Sequence, residues 1–247
     1  MSESKFAKPV YIAMWSGPRN ISTAMMRSWE NRPDTQVVDE PFYSFYLDQT
    51  GLDHPMAAEI IDAYPCDAAT VIAELTAPLT DATVFYQKHM THHMLPNVPL
   101  GWLDQMVNCF LIRDPREVIT SYIKVRPNVT LEDIGFKQQI DIFHHVRHHV
   151  DHQPAVIDSR DVLENPELIL GLLCDKIGIP FLPEMLSWPA GPRESDGIWA
   201  QHWYSTVEKS TAFAPYKPKS DPLPDHLRPM LAECERYYEE MAQFKLG

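Results

Sequence analysis

The sequence predicts an α/β fold in which a central, mostly parallel sheet is covered by helices on both faces, and three observations carry that prediction. Short apolar runs recur at 10–15, 35–38, 83–87, 107–112 and 155–157, each bounded by charged or turn-forming residues. Stretches with helical spacing separate them, at 21–30, 56–63, 67–75, 115–124, 131–152, 166–177 and 225–244. Strands that alternate with helices are joined by crossovers, which makes neighbours parallel and buries the sheet.

Taken in order, the first strand ends at Ser16, Gly17 and Pro18, a tight turn. The helix after it carries Ile21, Met25, Met26 and Trp29 at near-helical spacing, with Ser22 and Thr23 at its start. Pro166 suits the first position of a helix after Asn165, and Gly178 suits the left-handed residue past its end. Residues 181–219 are rich in proline and tryptophan and lack periodicity, so they are expected to form a long ordered loop, and loops of that length often work as lids. With no repeat or linker in view, 1–247 is expected to be one domain that closes on a C-terminal helix within 222–244.

A chain of 247 residues, 45% apolar and 22% charged, has the composition of a soluble globular protein. Its net charge of −13 argues against nucleic acid as a partner, because such binders need a basic footprint to displace counterions. A small anion needs only a few local donors, so global acidity and a local anion site coexist. The four cysteines, Cys66, Cys109, Cys174 and Cys234, fit no C-x-x-C spacing and are expected to be idle thiols in a reducing compartment. No secretory h-region and no long apolar span is visible, so a cytoplasmic location without membrane contact is expected.

Two segments carry chemistry. In S-G-P-R-N-I-S-T over 16–23, backbone N–H groups, two hydroxyls and Arg19 converge on a helix N-terminus, which suits an anion. The segment lacks the spacing and lysine of a Walker A loop. In R-D-P-R-E-V-I-T-S over 113–121, Arg113 ends a strand and Ser121 lies in the next helix. Together they resemble the two nucleotide loops of the sulfotransferases that use 3′-phosphoadenosine 5′-phosphosulfate (PAPS). A third segment, V-I-D-S-R-D-V-L-E-N-P over 156–166 followed by G-I-P-F at 178–181, is similar to that family's later strand, acidic turn and helix.

The resemblance implies a three-layer α/β/α fold of P-loop-like type, a soluble transferase, PAPS as donor and no metal. It implies that Gly17, Arg19, Asn20, Ser22 and Thr23 grip the 5′-phosphosulfate, and that Arg113 and Ser121 hold the 3′-phosphate. The sequence departs from the pattern at Arg19, where the family usually has lysine, at Ile21, where it has glycine, and at Ser159, where it often has an aromatic residue. The family's C-terminal R-K-G-x-x-G signature has no counterpart. The tryptophan-rich tail resembles a bacterial branch of sulfotransferase-like proteins. The acceptor is expected to be a hydroxyl or amine of a small molecule or glycan.

Sulfuryl transfer needs an in-line acceptor, a base for its proton and positive charge on the departing phosphate. The segment F-Y-Q-K-H-M-T-H-H over 85–93 follows a strand where the family keeps a lysine and a histidine base. His92 is the first candidate base, His89 the second, and Lys88 a phosphate or sulfuryl contact; Arg19 would act electrostatically. Asp39 and Glu40, at another strand end, suit orientation of a base or of the acceptor, and equally a turn. The run His144 to His152 places histidines at i and i+4, but no further ligand is identifiable, so surface histidines are expected there rather than a metal site. The aromatic stretch 196–206 suits a lid over an acceptor pocket or a satellite core. A non-catalytic nucleotide binder of the same fold and a P-loop small-molecule kinase remain as alternatives.

Overall fold

The structure is a computed structural model and describes residues 9–219 and 221–247. Its frame is one five-stranded parallel sheet: β1 (Val10–Ser16), β2 (Thr35–Asp39), β3 (Val84–Met90), β4 (Val107–Ile112) and β5 (Ala155–Asp158), in the order β2-β3-β1-β4-β5. Each predicted strand is present, displaced by no more than three residues at an end. β1 lies at the centre, and Ile12, Ala13, Met14 and Trp15 are fully buried.

Alternation along the strands divides the apolar side chains between two cores. On one face Ala13, Trp15, Phe110, Ile112 and Val156 pack with Phe42, Val71, Leu75, Ile140, Phe143 and Met241. On the other Ile12, Met14, Tyr86, Cys109, Leu111 and Ile157 pack with Met25, Met26, Trp29, Ile169, Leu170 and Leu173. Helices α1 (Ser22–Glu30) and α9 (Pro166–Ile177) supply the second set. Helices α2 (Tyr43–Thr50), α4 (Ala68–Leu75), α7 (Phe136–His149) and α11 (Arg228–Ala242) lie on the side of the first. The result is the expected three-layer α/β/α arrangement.

Three helical expectations are corrected. The helix expected over 131–152 is broken into α6 (Leu131–Ile134) and α7, because Gly135 adopts φ +70°. A Cβ there would sit 2.6 Å from Thr91 Oγ1, and Thr91 Oγ1 donates to the Gly135 carbonyl, so the break pins the helix pair to the segment after β3. Three helices, α2, α8 (Ser159–Glu164) and the one-turn α10 (Ala200–Trp203), are additional to the expected set. The last helix begins as a 3₁₀ turn at Asp225–Leu227 before α11. The short helices α3 (Ala57–Ala63) and α5 (Pro115–Tyr122) complete the set.

Residues 181–219 form a long connection with only short helical turns, at Pro183–Leu186, Ala200–Trp203 and Val207–Lys209. They are tied down by buried contacts. Arg27 donates to Asp196 at 2.6 Å, Ser28 to the Met185 carbonyl at 2.7 Å, and Trp199 and Tyr204 pack with Tyr43, Tyr46 and Ile60. Cys109, Cys174 and Cys234 are buried, Cys66 is half-buried, and all four are free thiols. No described helix is long and apolar enough to cross a membrane.

Candidate functional site

The strand order places the connections out of β1 and β4 on either side of a crevice at the carboxyl end of the sheet, where open α/β sheets bind ligands. A cleft of about 340 Å³ opens there. Its walls come from four strand ends: the loop and helix start from Pro18 to Thr23 after β1, Glu40 and Tyr43 after β2, Lys88, Met90, His92 and His93 at the end of β3, and Arg113, Ser121, Tyr122 and Arg126 after β4. Trp203, Tyr204, Val207 and Lys219 cover it from the 181–219 connection, and His54 lines it from the side.

The loop after β1 is shaped for close approach. A Cβ on Gly17 would lie 2.7 Å from the Ile134 carbonyl oxygen, so no other residue fits without moving α6. The left-handed residue of the loop is Arg19, at φ 58°, whereas Ile21 sits at φ −90° and needs no glycine. Asn20 fixes the turn by accepting from the Ile21 N–H and donating to the Leu111 carbonyl. No side chain caps α1, so its first N–H groups face the cleft with Ser22 and Thr23 beside them.

The two sequence segments meet here. Arg19 Nε donates to Ser121 Oγ at 3.1 Å, and Arg113 Nη1 donates to the Arg19 carbonyl at 2.7 Å. Arg113 is held in place by Glu117 at 2.7 Å, and Glu117 accepts from Tyr216 as well. Lys219 reaches the same end; partial burial, then the Arg113 charge, pushes its ammonium below the ordinary lysine range. Partial burial and the Arg113 charge likewise lower Arg19. Three cations that repel one another thus lie at an uncapped helix N-terminus, an arrangement whose charge suits an anion.

Lys88 is fully enclosed. Its ammonium donates to Asp39 Oδ1 at 2.7 Å, Glu40 Oε1 at 2.7 Å and Tyr204 OH at 2.6 Å, which uses all three of its hydrogens. Burial alone would lower it, but Asp39 and Glu40 outweigh that and hold it charged, well above the ordinary lysine range. Glu40 has 13% of its side chain exposed and lies in the cleft wall at φ 43°, a strained position for a residue before proline. Burial raises its carboxyl above the ordinary range in spite of Lys88.

The histidines separate. His89 does not line the cleft: strand alternation turns it to the other face, where it stacks on Trp15 at 4.4 Å and bonds to Gln87 at 3.1 Å. His92 and His93 do line it. Burial pushes His92 down to about 3 and His93 well below its usual value, so both are neutral. Their Nδ1 atoms are buried without a hydrogen-bond partner among the described residues. The candidate residues Arg19, Asn20, Ser22, Thr23, Lys88, His92, Arg113 and Ser121 thus share one cleft, and Gly17 shapes its floor from behind.

Lys219, Arg126 and His54 are cleft residues that sequence inspection missed, since nothing in their local patterns ties them to a strand end. The His144 to His152 run is separate from this site. His144 pairs with Glu240 at 2.6 Å, His148 bonds to the His144 carbonyl, and no group of three metal-ligating side chains exists among the described residues.

Comparison with known proteins bears on the fold and the family. Solved structures share the fold: the sulfotransferase domain of the Synechococcus PCC 7002 olefin synthase superposes with TM-score 0.60, at 18% identity over 98% of each chain. The sulfotransferase domain from the curacin biosynthetic pathway gives 0.53, at 16% identity over 96% of this chain and 99% of that one. By sequence, branched-chain-amino-acid aminotransferase-like proteins 1 and 2 of Arabidopsis thaliana are 36% and 33% identical over 88% and 92% of this chain. The chain spans only 39% and 40% of their respective lengths. The sulfotransferase domain family matches residues 10–243, and this chain belongs to that family.

Proposed function

We propose that this chain transfers a sulfuryl group from PAPS to a hydroxyl or amine of a small acceptor bound in the cleft. The observation that carries this reading is the convergence of Arg19, Arg113, Ser121 and Lys219 at the uncapped N-terminus of α1, beside a buried carboxylate. In this reading Ser22, Thr23, Asn20 and the α1 amides hold the 5′-phosphosulfate. Arg113, Ser121 and Lys219 hold the 3′-phosphate. The donor supplies an activated sulfuryl group on a phosphate leaving group. Arg19, which stays protonated, stabilises the charge left on that phosphate without giving up a proton.

Glu40 is the group best suited to take the acceptor's proton. It lines the cleft, and its carboxyl is raised toward the working pH, which strengthens it as a base. His92, held neutral near 3 and with no acceptor behind its Nδ1, gains little by protonation; it suits a wall that orients the acceptor. Lys88 acts as the fixed counter-charge that positions Glu40. As the acceptor oxygen bonds to sulfur, its proton passes to Glu40, and the sulfur–oxygen bond to the 5′-phosphate breaks with its electron pair going to the phosphate.

The word aminotransferase in the names of the Arabidopsis relatives belongs to proteins of which this chain matches about two fifths. Lys88, the buried lysine of the cleft, is locked as an ammonium, so it does not offer the free amine that imine chemistry requires. The direct test is incubation with PAPS labelled in the sulfuryl group and a fraction of small metabolites. Label in an organic product, together with adenosine 3′,5′-bisphosphate, is expected. Binding of the bisphosphate with no label transferred to any fraction would instead support a non-catalytic binder. Magnesium-dependent ATP turnover would support a kinase.

A further inference from the structure

One cation of the cleft has no part in holding the donor. Arg126 lies just beyond α5 and lines the wall, yet among the described residues its guanidinium makes a single hydrogen bond, a 3.3 Å contact from Nη2 to the Asp53 carbonyl. No ion pair among the described residues includes it, whereas Lys88 is paired with Asp39 and Glu40 and Arg113 with Glu117. Lys219 answers to Arg113 and Arg19, and so belongs to the donor end. The Arg126 charge acts instead on Tyr43, Tyr46, Tyr122, His54 and His92.

The surroundings of Arg126 are mainly aromatic, and the acidic side chains whose charge reaches those same residues are Asp133, Asp53 and Glu40. Tyr43 stacks on His93 at 4.7 Å and bonds to His54 Nδ1 at 2.8 Å, and Tyr122 and Trp203 complete the wall. Val125, 49% exposed, stands at the rim. Burial, then Arg126 itself, pushes His54 down to about 4, so the histidines add no charge. The acidic neighbour Asp133 is occupied as a helix cap, accepting from the Thr130 N–H at 2.8 Å. This end therefore presents one guanidinium fork against apolar faces. That matches a single planar carboxylate; a phosphate dianion would find only one cation to meet it.

We propose that the acceptor is a small hydroxy acid whose carboxylate pairs with Arg126, whose apolar body lies against Tyr43, Tyr122 and Trp203, and whose hydroxyl is presented to Glu40. The proposal rests on the sulfuryl-transfer reading of the cleft, and its product is the O-sulfate ester of that acid. It makes Arg126 the residue that selects the acceptor.

The test uses ligand-observed NMR titration of the protein alone with 3-phenyllactate and 3-hydroxybutyrate, their methyl esters, and 2-phenylethyl phosphate. The wild type and the Arg126→Gln and Arg126→Lys variants are compared. At least one acid should bind roughly ten-fold more tightly than its ester to the wild type, a preference that Arg126→Gln abolishes and Arg126→Lys partly restores. Adenosine 3′,5′-bisphosphate, titrated separately, should bind all three proteins equally, which also shows that the variants fold. Equal binding of acids and esters, a preference that survives Arg126→Gln, tighter binding of the phosphate, or loss of bisphosphate binding in Arg126→Gln would each overturn the assignment. Because the acids are titrated without nucleotide, failure of the wild type to bind the bisphosphate would count against the donor site and leave the acid result standing.

Discussion

In the proposed mechanism Glu40 concentrates the chemistry of the site in one residue. Its left-handed backbone, at φ 43°, costs on the order of 1–3 kcal/mol and persists because the Glu40 N–H donates to the Lys88 carbonyl while its carboxylate meets the Lys88 ammonium. Replacing Glu40 with Gln should lower the transfer rate about a hundred-fold or more while nucleotide binding is kept, and His92→Asn should cost less than about ten-fold. The ratio of the two losses checks which group is the base, and a larger loss for His92→Asn would transfer the role. Since the base form of Glu40 is the ionised one and burial raises its pKa, the rate should fall on acidification at a pH above the ordinary glutamate value. That Arg19, Arg113 and Ser121 come together was anticipated from the two segments that resemble sulfotransferase nucleotide loops, with Arg113 just past the end of β4 and Ser121 in the last turn of α5. The distinction between Lys88, His89 and His92 was not. It depends on which way β3 faces at its last residues, and a run of polar residues at a strand end carries no alternation to show it.

At the scale of elements, the 181–219 connection is attached to the cleft wall through a buried ionic network. Tyr204 OH donates to Asp39 Oδ2 at 2.6 Å and accepts from Lys88, and the Gly197 N–H donates to the same Asp39 oxygen at 3.3 Å. Tyr204→Phe removes a hydroxyl from a fully enclosed site and should cost about 1–3 kcal/mol of stability. It should also loosen the connection over the cleft, which limited proteolysis checks. Unchanged stability and protection would mean that the aromatic packing of Trp199 and Tyr204 alone holds the connection. The strands were legible because each is a short apolar run between polar ends. Helix α2 was hidden because its sequence, YSFYLDQT, is apolar at 43, 45, 46 and 47 without a helical stripe; packing against Trp199 and His93 decides it. Helix α8, of six residues, is too short for periodicity to register. The break at Gly135 was invisible because a glycine inside a periodic segment reads as tolerated until its contact with Thr91 is known.

At the scale of the molecule, the buried His89, His92 and His93 and the half-buried His54 link folding to pH. Burial lowers His54 to about 4, His89 and His92 to about 3, and His93 well below its usual value. In the unfolded chain they titrate near about 6.5. The unfolded state therefore binds more protons below that pH, so stability is full above it and is lost as the pH falls toward the folded values. Denaturant titrations between about pH 7 and pH 5 should show this loss, with up to about four protons taken up on unfolding. A flat profile would contradict the burial of this cluster. The acidity of the whole chain, −13, sets off a cleft whose donor end is cationic, so nucleotide binding should weaken with salt as a local effect.

The central claim is that this cleft recognises a 3′-phosphorylated adenosine nucleotide. Calorimetric titration with adenosine 3′,5′-bisphosphate, with 5′-AMP and ATP as controls, tests it most directly. The account predicts micromolar binding that requires the 3′-phosphate and weakens by about 1.5–3 kcal/mol in Arg113→Ala, as expected for loss of a charge-assisted contact. Equal binding of 5′-AMP, an Arg113→Ala variant that binds like the wild type, or a preference for ATP with magnesium would contradict it.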